Sequence, residues 1–219
     1  MQTDTLRLER VQSAGYGCWL GLASLLLILL LMSLLATSLW EQRLPVEGSP
    51  ELTFARDMSA HHLQAVEMAF IIRERSQDEG LRRLALDIFT SQQVQAGQMQ
   101  GWLAAWGQPL SGPEPAMAGH PEMMGMATPE QLNQLKTLPV AEAETTFLQL
   151  MIRHHQGGVM MAQEGLRQTS RIEVARLASS IIEAQESEIA YMQGLLEQQG
   201  AAPLPPSGSN VEHQQHQSD

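Results

Sequence analysis

Two stretches of this 219-residue chain carry the same donors in the same order: Met58, His61 and His62, then Met151, His154 and His155. Residues three and four apart share a face of a helix, so each methionine lies on one stripe with its two histidines. Met68 and Met161 extend the stripes, and Met99 and Met192 follow later in each half. Imidazole and thioether together suit a soft ion, copper(I) or silver(I), better than magnesium or calcium. A structural alternative stands beside this one. Methionine often just fills core gaps, and a core histidine usually has a hydrogen-bond partner and no metal. Four of the seven histidines fall in these two pairs, and that repetition favours ligation.

Other chemistries fit less well. Cysteine occurs once, as Cys18 in an apolar run, which excludes disulfide frameworks, zinc fingers and thiolate clusters. Di-iron bundles use Glu-x-x-His motifs, and no histidine here follows a glutamate at that spacing. A zinc hydrolase wants three ligands, an open position and a carboxylate base. Glu67 and Glu188 are the candidates for that base, in methionine-rich surroundings that suit it poorly. A formal charge of −11 without any basic cluster argues against nucleic acid. Three functions stay in view: a copper(I) buffer or carrier, a ferritin-like redox enzyme, and an interaction bundle that binds no metal. A carrier would also meet another copper-handling protein.

The elements that position these donors are set by an internal repeat. At an offset of 93, Phe54 to Gln108 aligns without gaps on Phe147 to Ala201, and 17 of the 54 pairs from Phe54/Phe147 to Gly107/Gly200 are identical. Each half predicts a helical hairpin. Ser49-Pro50 starts the first helix, a Ser76–Glu79 capping box the second, Pro139 the third, and Ser170 with Glu173 the fourth. Gly107 and Gly200 stop the second and fourth. Two amphipathic hairpins must bury their faces on each other, which predicts an all-α, ferritin-like four-helix bundle. Up-down-up-down connectivity is expected, with helices one and three parallel and the metal sites near one end. Counting from the turns puts His61 opposite Gln92, Met58 opposite Gln95 to Met99, the second histidine pair opposite Gln185, and Met151 opposite Glu188 to Met192. Glu188 stands where the first half has Gln95, and it joins the histidines and methionines as a candidate metal ligand.

The expected organisation is an N-terminal segment 1–15, a membrane helix 16–40, a linker 41–53, hairpins 54–107 and 129–201, and a disordered tail 202–219. The second hairpin includes a short extra helix starting at Thr128-Pro129. Between the hairpins, 108–128 reads as a loop whose Met117, His120, Met123, Met124 and Met126 form an accessory metal cluster, or an oily cover over the bundle end. No charge occurs between Arg10 and Glu41, and Leu20 to Leu39 is long enough to cross a bilayer. The alternative is a cleaved signal peptide, with Ala36 and Ser38 before the cut. Both readings put the bundle outside the cytoplasm, in the periplasm or at the cell exterior.

Phe147 to Ala162, followed by Gln185 to Met192, resembles the ferritin-like family called domain of unknown function three-hundred-and-five, and Asp57 to Ala69 resembles it as well. That family is typically exported, and some members are linked to copper binding or tolerance. The resemblance implicates Met58, His61, His62, Met68 and Met99, with Met151, His154, His155, Met161 and Met192. It departs from the pattern at Gln95 and assigns no reaction.

Overall fold

The computed structural model describes residues 19, 21–37, 39, 44–113, 116–117 and 123–205. His120 and most of the tail therefore lie outside the described residues. The chain divides into two units at Leu44/Pro45. In the first unit, residues 21–37 are helical and overlap the expected membrane helix. Among the described residues, no helix is long and apolar enough to cross a membrane.

The second unit is a helical bundle, and the described residues contain no strand. Its helices are α1 (Pro50–Arg75), α2 (Glu79–Ala105), a short α3 (Pro129–Thr137), α4 (Val140–Gln168) and α5 (Ile172–Gln198). Ser49 caps α1, with Pro50 in the first turn, and Thr128 with Gln131 forms a complete capping box on α3. Two expected caps differ. Asp78, not Ser76, caps α2 by accepting from the Leu81 amide at 2.7 Å. Arg171 begins α5 with no side-chain cap, because Thr169 takes the Arg171 amide instead. Gly107 and Gly200 both adopt positive φ, 70° and 69°, as a left-handed helix stop requires.

The connectivity is up-down-down-up, which corrects the expected order. Ser76 at the end of α1 donates to Glu144 near the start of α4 at 2.6 Å. At the other end of the bundle, Thr169 beyond α4 donates to Glu51 at the start of α1 at 3.0 Å. Helices α1 and α4 are thus antiparallel. These two contacts are also one contact repeated, since Glu51/Glu144 and Ser76/Thr169 are both repeat equivalents. The hairpins are related by a pseudo-two-fold axis across the bundle.

The connection between hairpins makes this order feasible. At 1.5 Å per residue α1 is about 39 Å long, and an extended chain needs only about a dozen residues to cover that. The described residues between 108 and 128 form a strap that climbs α1. Arg56 donates to the Pro109 carbonyl, Asp57 accepts from the Met117 amide, Gln64 bonds both ways with Ala127, and Arg75 holds the carbonyls of Leu135 and Leu138. Its described residues run along the flank of α1.

Apolar packing forms two clusters. One holds Leu52, Met58, Met99 and Leu103, with Met161 against it; the other holds Met68, Phe147, Met151 and Met192. Along all four long helices, a polar layer separates them: His61, His62, Gln92, His154, His155 and Gln185, all buried.

Candidate metal centre

The histidines meet at mid-length, because the pseudo-two-fold axis brings repeat equivalents face to face. The rings of His61 and His154 stack with centroids 3.6 Å apart and planes at 28°. His62 and His155 flank them at 6.2 Å and 6.3 Å from their chain neighbours. The expected placement near one end of the bundle is thereby corrected: two separate sites become one central layer.

Three of the four rings have one nitrogen spoken for. His61 Nε2 lies 3.0 Å from the Met124 carbonyl, His62 Nε2 2.8 Å from Gln95 Oε1, and His155 Nε2 2.6 Å from Glu188 Oε2. A carbonyl or carboxylate oxygen only accepts, so in each pair the imidazole Nε2–H donates. The Nδ1 atoms of His61, His62 and His155 are then bare lone pairs, buried and without a hydrogen-bond partner. His154 makes no hydrogen bond of ordinary geometry through either ring nitrogen, though the His61 backbone lies close to it.

Burial keeps His61, His62 and His154 neutral. Desolvation, helped by the charge His62 would carry, pushes His61 down to about 3. Burial pushes His62 to about 4 against the opposing pull of Gln95. His154 is lowered as well, by burial and then by His61, His155 and His62. A neutral imidazole with its N–H held by an acceptor is the form that binds a metal through the other nitrogen.

Unpartnered buried polar atoms cost roughly 1–3 kcal/mol each. Both side-chain amide atoms of Gln92 and Gln185 are also unpartnered in this layer. Neutral imidazole lone pairs in such a layer are chemically able to take an ion. Among the described residues, no three His, Cys, Asp or Glu side chains converge as a metal site would require. The neighbouring layers hold thioether sulfur.

The methionines take their places by the same symmetry. Met58 and Met99, with the half-buried Met161, lie on one side of the layer, and Met151, Met192 and Met68 lie on the other. Glu188 bonds His155 in the contact that Gln95 makes with His62, a turn closer to the histidines than the count from the turns placed it.

The accessory cluster is only partly assembled. Met117, Met123 and Met124 line one pocket, and Met126 does not. Met160, which the spacing argument passed over, lines it with Met161. Two glycines seat the strap. Gly125 has φ +73° and faces the Arg153 carbonyl, and a Cβ on Gly157 would collide with the Met124 carbonyl. Asp57 and Gln64, which fasten the strap, were also missed; an isolated Asp or Gln on a helix carries no signal of a distant backbone partner.

A family model described as a domain of unknown function, DUF305, matches residues 51–196. No curated protein matches the chain. A crystal structure of a candidate secreted DUF305 protein from Streptomyces coelicolor is 45% identical, covers 72% of this chain and 98% of its own, and has a TM-score of 0.68. A DUF305 fragment from Deinococcus radiodurans is also 45% identical, over 70% of this chain and 99% of its own, at TM-score 0.64. CopM in its Cu(II)-bound form is 30% identical over 68% of this chain and 97% of its own, at TM-score 0.57. Its Cu(I)-bound form is similar at 27% identity and TM-score 0.55, over 68% of this chain and 96% of its own.

Proposed function

The chain belongs to the DUF305 family, and from that premise we propose that it is an extracytoplasmic copper(I)-binding protein, a buffer or carrier that catalyses nothing. The observation that carries this reading is the set of three buried histidines whose Nε2–H is held by an acceptor while Nδ1 stays bare. Methionine layers on both sides supply neutral, polarisable sulfur, which gains more from copper(I) than from harder divalent ions. The likeness to CopM, which has been solved with Cu(I) and with Cu(II), supports the same choice of metal. In this reading Met58, His61, His62, Met68, Met99, Met151, His154, His155, Met161 and Met192 form the ligand pool, and Glu188 orients His155. The stretch 16–40 anchors the chain in a membrane, and the bundle passes its ion to another copper-handling protein.

The test is competitive titration of the full chain with copper(I), zinc(II) and iron(II). Copper(I) held against a strong chelator, with iron(II) released to a weak one, is the expected result. Preferential retention of iron would favour a redox enzyme instead, and retention of no metal would leave a structural bundle.

A further inference from the structure

A second group of sulfur atoms lies outside the histidine layer, where the strap crosses the flank of α1 and α4. Met117, Met123 and Met124 from the strap face Met160 and Met161 of α4 across a cavity of about 540 Å³ whose wall also includes Phe54. These are not core residues: Met123 is 50% exposed and Met160 is 47% exposed. An oily cover would turn its side chains inward. Here the thioethers rim a space open to solvent. Of the two charged residues on the wall, both acidic, Glu164 pairs with Arg167 and Asp57 accepts from the Met117 amide, and the whole chain is strongly anionic. A cation is drawn to such a place.

The pocket is held in shape by the backbone. Met117 sits at φ +56°, an uncommon conformation for a residue other than glycine. Its amide donates to Asp57 Oδ1 at 2.9 Å, which fastens the strap beside the pocket. The Met124 backbone beds against Gly157. Two connections then run inward: the Met124 carbonyl holds His61 Nε2, and Met161 packs against the cluster containing Met58 and Met99.

We propose that this methionine-lined pocket is a separate binding site for a soft monovalent cation, copper(I) or silver(I), and the port through which the ion reaches the histidine layer. Binding in the pocket is independent of the central site. Only its role as a port rests on the copper(I) reading above.

Silver(I) is the probe, added without chloride to the full chain labelled with ¹³C at the methionine methyl groups. The methyl signals of Met117, Met123 and Met160 should shift in the wild type, and again in His61→Gln/His154→Gln, where the central site is damaged. In Met117→Leu/Met123→Leu/Met160→Leu, checked for folding by circular dichroism, about one fewer ion should bind. Stopped-flow loading of the histidine layer should slow at least tenfold. Pocket signals that move while the histidine rings do not would uphold the pocket and sink the central reading. Histidine signals that move while the pocket methyls stay still would overturn the pocket alone. Unchanged stoichiometry and loading rate in the folded triple variant would overturn it too.

Discussion

His155 donates its Nε2 proton to Glu188 Oε2 at 2.6 Å, and at the equivalent place in the other hairpin His62 meets the neutral amide of Gln95 at 2.8 Å. The two halves thus build the same hydrogen bond with acceptors of different charge. A carboxylate makes its imidazole a stronger donor ligand and suits a harder ion. Glu188→Gln should preserve folding, because glutamine already fills this role beside His62. It should weaken copper(II) binding roughly tenfold or more, in line with losing a partner of a metal-bound histidine. Copper(I) affinity should change much less. Isothermal titration with each oxidation state checks this, and equal losses for both would count against the assignment.

Met58 and Met151 are buried repeat equivalents on opposite sides of the histidine layer. Changing both to Leu roughly conserves volume and helix propensity, so the melting temperature should move by only a few degrees. Copper(I) affinity should fall by at least about tenfold, roughly 1.4 kcal/mol, with zinc binding less affected. If the folded double variant keeps wild-type copper(I) affinity, these two methionines are packing residues.

The neutral histidines give the metal-free protein a defined pH dependence. His61 and His62 are lowered to about 3 and about 4, and His154 is lowered too, from an ordinary value near 6.5. Between those limits the unfolded chain binds protons that the folded one refuses, so stability rises with pH there. It should be fully present above pH 6.5 and fall steadily as the pH drops toward 4. Thermal melts at pH 7.5, 6 and 5 follow the effect. A flat profile over that range would mean that these rings are solvated.

Adjacent glycines on α4 should behave differently. A Cβ at Gly157 meets the Met124 backbone, which cannot yield without lifting the strap from α4. Gly157→Ala should cost about 1–3 kcal/mol, as overpacking typically does. A Cβ at Gly158 meets only the amide end of Gln185, and the repeat equivalent of Gly158 is already Ala65. Gly158→Ala should cost less than about 1 kcal/mol. Denaturant unfolding of the two variants makes the comparison, and equal losses would deny the strap its fixed seat.

The helices, their glycine stops and the two His-His pairs, His61-His62 and His154-His155, were legible in the sequence, because periodicity and an ungapped repeat report on local structure and on equivalence; that the pairs meet in one layer was not. The relation between the hairpins was not. A repeat says that Glu51 and Glu144 are alike; it does not say that each will face the other's hairpin end. Two parallel hairpins and two hairpins turned about a two-fold axis give the same one-dimensional pattern. What separates them is the strap, whose anchors are backbone carbonyls and amides bonded by Arg56, Asp57 and Gln64. Backbone partners leave no mark on side-chain spacing. Met160 was missed for a related reason, since its role depends on where the strap crosses α4.

The central claim is that bare Nδ1 atoms of buried histidines receive the ion, and ¹⁵N spectra of the imidazole rings read those atoms directly. In the metal-free full chain, His61 and His62 should appear as neutral rings protonated at Nε2, and His155 should hold its Nε2 proton on Glu188. On adding copper(I), their Nδ1 resonances should shift while the Nε2 protons stay in place on Met124, Gln95 and Glu188. Bound copper(I) that leaves every Nδ1 unmoved, or that removes the Nε2 protons instead, would contradict the account.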